Sequence, residues 1–151
     1  MPFARSVVLV TTLFCSQLVA GAPRESILNY LDSSADAYAG LAQQIWDYAE
    51  LGYLEQQSSA LLQQTLAQEG FDVETGVADI PTAFIASYGS GEPVIALLAE
   101  FDALPGISQT NSPQREIRED RNSGHACGHH LFGAGSVAAA VAVKQWMAEH
   151  S

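Results

Sequence analysis

The sequence predicts an α/β domain in which helices pack on a mixed sheet. Helix-forming patterns occupy residues 27–49 and 131–148, and a continuously apolar run, 94–99, lies between them. Such a run is typical of a strand covered on both faces, and helices before and after it favour a layered sheet. At 151 residues, the chain has room for one domain with a modest core.

The first segment is typical of an export signal. Arg5 supplies one positive charge, a short apolar run follows at 7–15, and small residues at 20–22 offer cleavage positions. The run is too short to cross a bilayer as a helix, and the alternative interpretation is a buried N-terminal helix. We therefore expect residues 1–22 to be a signal peptide, cut between 20 and 22, and residues 23–151 to be exported to the periplasm or secreted.

Removal of the signal changes the cysteine count. The exported chain would lose Cys15 and keep Cys127, so it could form no internal disulfide. A single thiol persists in an oxidising compartment when it is buried, paired with another chain or bound to a metal. The histidines beside Cys127 favour the metal.

Two helices are expected in the first half of the chain. Apolar residues recur at helical spacing through 27–49. A second helix is expected from about 57 to 68, with Ser58 or Ser59 as its N-cap and Gly70 as its stop. Segments with apolar residues in strand patterns follow, and they are 71–75, 83–88 and the covered run 94–99.

Two carboxylates directly follow the covered run. Glu100 and Asp102 are two residues apart, so strand alternation would point both to one side, at the strand end where open α/β sheets bind ligands. The alternative is a pair of solvated acidic residues at a strand end. The polar residues 107–123 are expected to form a long exposed loop before the final helix, 131–148.

The segment Gly124–His130 holds three of the four histidines and one of the two cysteines. Cys127 and His129 are separated by Gly128, which lets the backbone turn so that both side chains face one centre. A thiolate with an imidazole suits Zn²⁺. A carboxylate such as that of Glu100 or Asp102 could add an oxygen ligand or orient a histidine.

Two alternatives to a metal site stay open. Cys127 could be a nucleophile with His125 or His129 as its base, although residues so close in sequence rarely reach the required hydrogen-bond geometry. The cluster could also be a structural group of buried polar residues. Its position just before a helix N-terminus would favour the thiolate form of the cysteine.

The charge of the chain limits its partners. There are 17 acidic and 6 basic residues, which give a net charge of −11. This charge repels the phosphate backbone of nucleic acids and anionic membrane surfaces. We expect no nucleic-acid partner, no membrane contact after signal cleavage, and a small molecule as ligand.

Three segments carry a resemblance to a known family. They are Ala49–Glu55, Ala99–Pro105 and Gly124–Leu131, with the sequences AELGYLE, AEFDALP and GHACGHHL. They resemble the M20 metallopeptidases, in the amidohydrolase branch that hydrolyses aminobenzoyl-glutamate, indole-acetyl-amino acids and N-acyl amino acids. The resemblance covers nearly all of the mature chain. It implies a zinc-exopeptidase-like layered catalytic domain that hydrolyses amide bonds of N-acyl amino acids or small peptides with two divalent ions, Zn or Mn.

The resemblance also implies roles for single residues. Cys127 and His129 match metal ligands, and Asp102 matches the catalytic acidic residue that supports a ligand. Glu100 stands where the peptidase branches often have histidine, and His130 stands where the family usually has Asp or Asn. Supporting contacts to the ligands are expected from Glu100, His125 and His130.

The general base of the family lies in a pair of adjacent glutamates further along the chain. After the segment Gly124–His130, the only glutamate and histidine in this sequence are Glu149 and His150. We therefore expect the N-terminal portion of the catalytic domain, incomplete and inactive alone. The alternatives are a small exported metal-binding module without catalysis and a structural fragment with an exposed core.

Overall fold

The computed structural model describes residues 22–150, with side chains from Arg24 onward. The predicted signal peptide, including Cys15, lies outside the described residues except for Ala22, which begins the first helix. Export and cleavage therefore stay predictions.

Helices dominate the described part of the chain. The three helices are α1 (Ala22–Tyr48), α2 (Gln56–Gln68) and α3 (His129–His150). The strands form two separate antiparallel pairs, β1 (Asp72–Thr75) with β2 (Phe84–Ser87) and β3 (Leu104–Pro105) with β4 (Ser123–Gly124). The three predicted helices and the first two predicted strands are confirmed. The predicted α/β class is confirmed in the sense that the fold combines helices with small antiparallel sheets.

The core lies where the apolar faces of the three helices meet. Ile45 of α1, Leu62 of α2 and Val141 of α3 are each fully buried. The cluster around them, drawn from all three helices, consists of Leu41, Ala42, Ile45, Leu62, Leu66, Ala134, Val137 and Val141. Apolar side chains at helical spacing make this packing possible, because they form one stripe on each helix.

The first helix begins earlier than its apolar pattern predicted. It starts at Ala22 rather than near residue 27. Pro23 fits the first turn, where the missing N–H has no intrahelical partner to lose, and Glu25 places a negative charge near the positive end of the helix dipole. These end signals extend the helix beyond its buried stripe.

The predicted N-cap of the second helix is wrong. The helix begins at Gln56, so Ser58 and Ser59 lie inside its first turn and are buried. The acceptor for the first-turn N–H groups is instead the carboxylate of Glu50, which receives the backbone N–H of Gln57 at 2.9 Å and of Ser58 at 2.8 Å. A side chain from the preceding turn has replaced the local cap.

The prediction of a covered strand at 94–99 is also wrong. These residues belong to no strand and are all exposed, with Val94, Ile95 and Leu98 each about 80% accessible. A strand needs neighbours that pair with its backbone, and in the described chain neither antiparallel pair includes this run. We name residues 94–99 the apolar run. The predicted exposed loop at 107–123 is present, and its last residue forms β4 with Gly124.

The third helix has the length and composition of a membrane span. Among residues 22–150 it alone meets this criterion, with a mean hydropathy of 1.2. One third of its apolar window is buried inside the fold. The core helix of a globular domain meets the same criterion, and the packing of α3 against α1 and α2 is of that kind.

Candidate metal centre

The side chain of His129 lies between two carboxylates. Its Nδ1 atom is 2.8 Å from Oδ1 of Asp102, and its Nε2 atom is 2.9 Å from Oε2 of Glu100. The ligand atoms of the three residues all lie within 4.8 Å of one another. Two oxygen donors and one nitrogen donor are the kinds of ligand that Zn²⁺ and Mn²⁺ accept in proteins. The donor set therefore fits a divalent cation, and we call it the carboxylate–histidine group.

Local backbone features bring the three residues together. His129 is the first residue of α3, and the preceding Gly128 has a φ of +85°, in the left-handed region that favours glycine. One turn into the helix, a Cβ atom at Gly133 would lie 3.3 Å from the carbonyl oxygen of Glu100 and 3.2 Å from Cβ of Phe101. The missing side chain at Gly133 lets α3 approach residues 100–101 closely.

The two carboxylates are held differently. Asp102 is followed by Ala103, which is buried and whose N–H donates to the carbonyl oxygen of Glu50 at 2.7 Å. The side chain of Asp102 is 33% accessible, and that of Glu100 is 59% accessible. Asp102 is thus the fixed partner of the imidazole, whereas Glu100 reaches it with a longer and more exposed side chain. The sequence offered Glu100 as an oxygen ligand or as a supporting contact to a ligand, and its carboxylate contacts His129.

The cysteine predicted as a ligand is not a member of this group. Cys127 is a free, exposed thiol two residues before α3. Within the described residues, no group of three potential ligands with atoms this close includes it. The structure thus brings together three of the predicted site residues, Glu100, Asp102 and His129. The role of Cys127 as a metal ligand stays a prediction.

The other two histidines of the motif pack with an aromatic ring instead. The rings of His125 and His130 lie 5.1 Å apart, and both approach Trp46 of α1. His125 is buried, and its Nε2 atom lies 3.1 Å from the carbonyl oxygen of Ile45. Burial lowers the pKa of both imidazoles below the ordinary 6.5, and their mutual approach lowers that of His130 further. These two side chains anchor the motif to α1.

The contribution of the turn between α1 and α2 was not predicted from the sequence. The carbonyl oxygen of Ala49 accepts a 2.6 Å hydrogen bond from Oγ of Ser123, and that of Glu50 accepts the N–H of Ala103. Leu51 also forms an isolated parallel bridge with Ala103. The only sequence signal for this role was that Ala49–Glu55 belongs to the three segments of the family resemblance, because no pattern in one chain predicts which backbone groups meet.

Comparison with known proteins gives relatives but no matching family model. The chain is 42% identical over 131 residues to a subunit of the p-aminobenzoyl-glutamate hydrolase of Escherichia coli, a match that covers 83% of this chain and 27% of that protein. It is 33% identical to thermostable carboxypeptidase 1 of Saccharolobus solfataricus, over 70% of this chain and 26% of the relative. It is also 33% identical to hippurate hydrolase of Campylobacter jejuni, over 59% of this chain and 23% of the relative. The chain spans about a quarter of the length of these curated relatives.

Proposed function

Because the chain belongs to the M20-like amidohydrolases, we propose that it forms part of a metal-dependent enzyme that hydrolyses amide bonds of N-acyl amino acids or small peptides. The names of its relatives support this substrate class, since they include an aminobenzoyl-glutamate hydrolase, a hippurate hydrolase and a carboxypeptidase. All three names describe hydrolysis of an amide or peptide bond. An acidic chain suits a small substrate better than a nucleic acid.

The observation that carries the proposal is the imidazole of His129 between two carboxylates. We assign His129 as a metal ligand, with Glu100 as the neighbouring carboxylate. Cys127 is assigned as a second ligand on the family resemblance of its motif. Asp102 would accept the Nδ1–H of His129 and so hold the ring with Nε2 facing the ion, as carboxylates beside ligating histidines commonly do. A bound divalent ion, Zn or Mn and two in the complete site, would polarise the scissile carbonyl and acidify a water molecule.

The described residues provide no separate general base for this chemistry. The two carboxylates at the centre, Glu100 and Asp102, both already pair with His129. Hydrolysis needs a further group within hydrogen-bond reach of the attacking water. We therefore propose that the 151-residue chain binds metal without turning over substrate.

Metal titration tests the assignment. Isothermal titration with Zn²⁺ and Mn²⁺ should show binding to the wild type and at least about tenfold weaker binding to His129→Ala, because a ligand matters at least as much as a supporting residue. His150→Ala is the matched control, since His150 lies exposed at the far end of the same helix. The proposal would be wrong if the wild type bound neither ion at micromolar concentration. Turnover of p-aminobenzoyl-glutamate by the metal-loaded chain would contradict its inactivity.

A second candidate function is an exported metal-binding module without catalysis. The accessibility of Glu100, 59%, favours it, because an open group can take up an ion without a substrate pocket. Binding of the amino-acid product discriminates the two. An amidohydrolase site should bind glutamate or glycine more tightly with metal than without it, whereas a simple metal module should show no difference.

The export of the protein is part of the proposal. The basic start, the apolar run and the small residues of 1–22 support it. The N-terminus of protein recovered from the periplasm or the culture medium should begin at residue 21, 22 or 23. Recovery of the intact N-terminus from the cytoplasm would contradict export.

The layered arrangement of the sheet is also proposed. The residues 94–99 are six consecutive apolar residues. They would be covered if the strands of a longer chain, of the length of the relatives, lay beside them. Amide hydrogen exchange at 94–99 should then be slower in a longer protein than in this chain. Equal exchange rates would show that the run stays uncovered.

A further inference from the structure

Two segments of the chain carry the residues of the metal centre, and we name them the first and the second limb. Both are attached to one short stretch of backbone. Residues 49–51, between α1 and α2, are here named the corner. The first limb ends with Asp102, and the next residue, Ala103, is hydrogen-bonded to the corner at 2.7 Å and forms a parallel bridge with Leu51. The second limb enters the motif at Ser123, whose Oγ donates to the corner at 2.6 Å. The corner is thus a common reference point for Asp102 and for the segment that leads to His129.

The conformation of the corner depends on its contacts. Ala49 is buried and has a φ of +46°, which lies in the left-handed region that residues with a Cβ atom rarely adopt. Its N–H still donates to Ile45 at 3.0 Å, so it closes the last turn of α1. A residue held in this region keeps it only while the surrounding structure enforces it. Hydrogen bonds hold the backbone here, from Ser123 to the carbonyl oxygen of Ala49 and from Ala103 to that of Glu50.

The carboxylate of Glu50 fixes the corner to α2. It accepts the N–H of Gln57, the N–H of Ser58 and the Oγ–H of Ser58, at 2.8–2.9 Å. Burial alone would raise the pKa of Glu50, but these hydrogen bonds outweigh it and lower the pKa below the ordinary 4.5. Ser58 is fully buried, so its groups have no water to replace a lost acceptor. The backbone of Glu50 faces the metal centre while its side chain faces α2.

We propose that Glu50 is a positioning residue of the metal centre. Its carboxylate holds the corner, and the corner sets the spacing between Asp102 and His129 through Ala103 and Ser123. Glu50 itself touches neither the imidazole nor the two carboxylates of the group. The inference rests on the proposed metal-binding function and adds to it a residue outside the predicted ligands.

The test compares two variants of the same helix turn. Glu50→Gln keeps the length of the side chain but leaves only one accepting oxygen, so the N–H groups of Gln57 and Ser58 no longer have separate acceptors. Ser59→Ala removes a buried 2.6 Å hydrogen bond to the carbonyl oxygen of Thr82 from the same turn without touching the corner. Both should lower the melting temperature, because each removes hydrogen bonds from this turn. Only Glu50→Gln should weaken metal binding, by about tenfold, as loss of an outer support of a ligand does.

Binding of Co²⁺ gives a readout that a purely structural role would not change. Titration at a temperature well below both melting transitions measures affinity on folded protein, and the visible absorption bands of bound Co²⁺ report ligand geometry. We expect altered bands and weaker binding for Glu50→Gln, and wild-type bands and affinity for Ser59→Ala. If Glu50→Gln does not fold, Ser123→Ala tests the same corner from its other side, and it should weaken binding several-fold.

The outcomes separate the two proposals. Wild-type affinity and bands in Glu50→Gln, or in Ser123→Ala where it is used, would overturn the positioning role and leave the metal site intact. Equal losses of affinity in Glu50→Gln and Ser59→Ala would also overturn it, since they would show an effect of stability alone. Absence of binding to the wild type would overturn both proposals.

Discussion

The helical core and the apolar run have similar residues and opposite surroundings. Ile45 of the core is fully buried, whereas Ile95 of the apolar run is 79% accessible. A helix satisfies its own backbone hydrogen bonds, so its apolar stripe needs only another apolar surface, and α1, α2 and α3 supply that to one another. A strand must also pair its backbone with neighbours, and the described chain places none beside 94–99. Apolar composition alone therefore does not decide burial.

The largest expected effect compares one substitution in the two regions. Ile45→Ala should lower the free energy of unfolding by about 2–5 kcal/mol, because it leaves a cavity among packed helices. Ile95→Ala, the matched control, should change it by less than about 0.5 kcal/mol, since its side chain is already accessible. Urea denaturation followed by circular dichroism measures both. Equal losses would show that the apolar run is buried in solution.

A second prediction uses acid to compare the regions, because the buried imidazole of His125 lies against α1 of the helical core, whereas residues 94–99 contain no titratable side chain. Burial lowers the pKa of His125 below its ordinary 6.5, so the unfolded chain binds a proton first as the pH falls. The stability contribution of His125 is therefore complete above about pH 6.5 and decreases below it, until the folded-state pKa is reached. The melting temperature of the metal-free chain should fall between about pH 7.5 and about pH 5.5.

Matched asparagine variants assign this pH dependence. His125→Asn should reduce the difference in melting temperature between the two pH values, and His150→Asn, at an exposed position, should leave it unchanged. Melting curves in buffers with a chelator exclude an effect of bound metal. A wild-type pH dependence in His125→Asn would contradict the assignment to the buried imidazole.

The smallest effect on stability is expected from a charge in the apolar run. Ile95→Lys should keep the free energy of unfolding within about 0.5 kcal/mol of the wild type. It should nevertheless reduce self-association, because an exposed apolar segment is a surface for non-specific contact and a lysine opposes such contact. Sedimentation velocity at increasing protein concentration measures this. Identical sedimentation of variant and wild type would show that the apolar run does not drive association.

The candidate site was predicted in part. Asp102 was expected to support a ligand that the sequence did not single out, and its Oδ1 lies 2.8 Å from Nδ1 of His129. Glu100 was expected to make a supporting contact, and its carboxylate lies beside Nε2 of the same ring, although spacing along the chain does not predict which nitrogen a carboxylate reaches. Glu50 was not assigned at all, because its role depends on hydrogen bonds with backbone groups of other segments, those of Ala103 and Gln57.

The sequence by itself determined the three helices and the positions of β1 and β2, and it supplied the candidate ligands as a prediction. Helical periodicity, strand alternation and the chemistry of side chains are local properties that a single chain displays. Only the tertiary structure decided that 94–99 is exposed, that Glu50 rather than a serine caps α2, and that the corner holds both limbs of the metal centre. These features depend on which backbone groups find partners outside their own element, and that is settled when the elements pack.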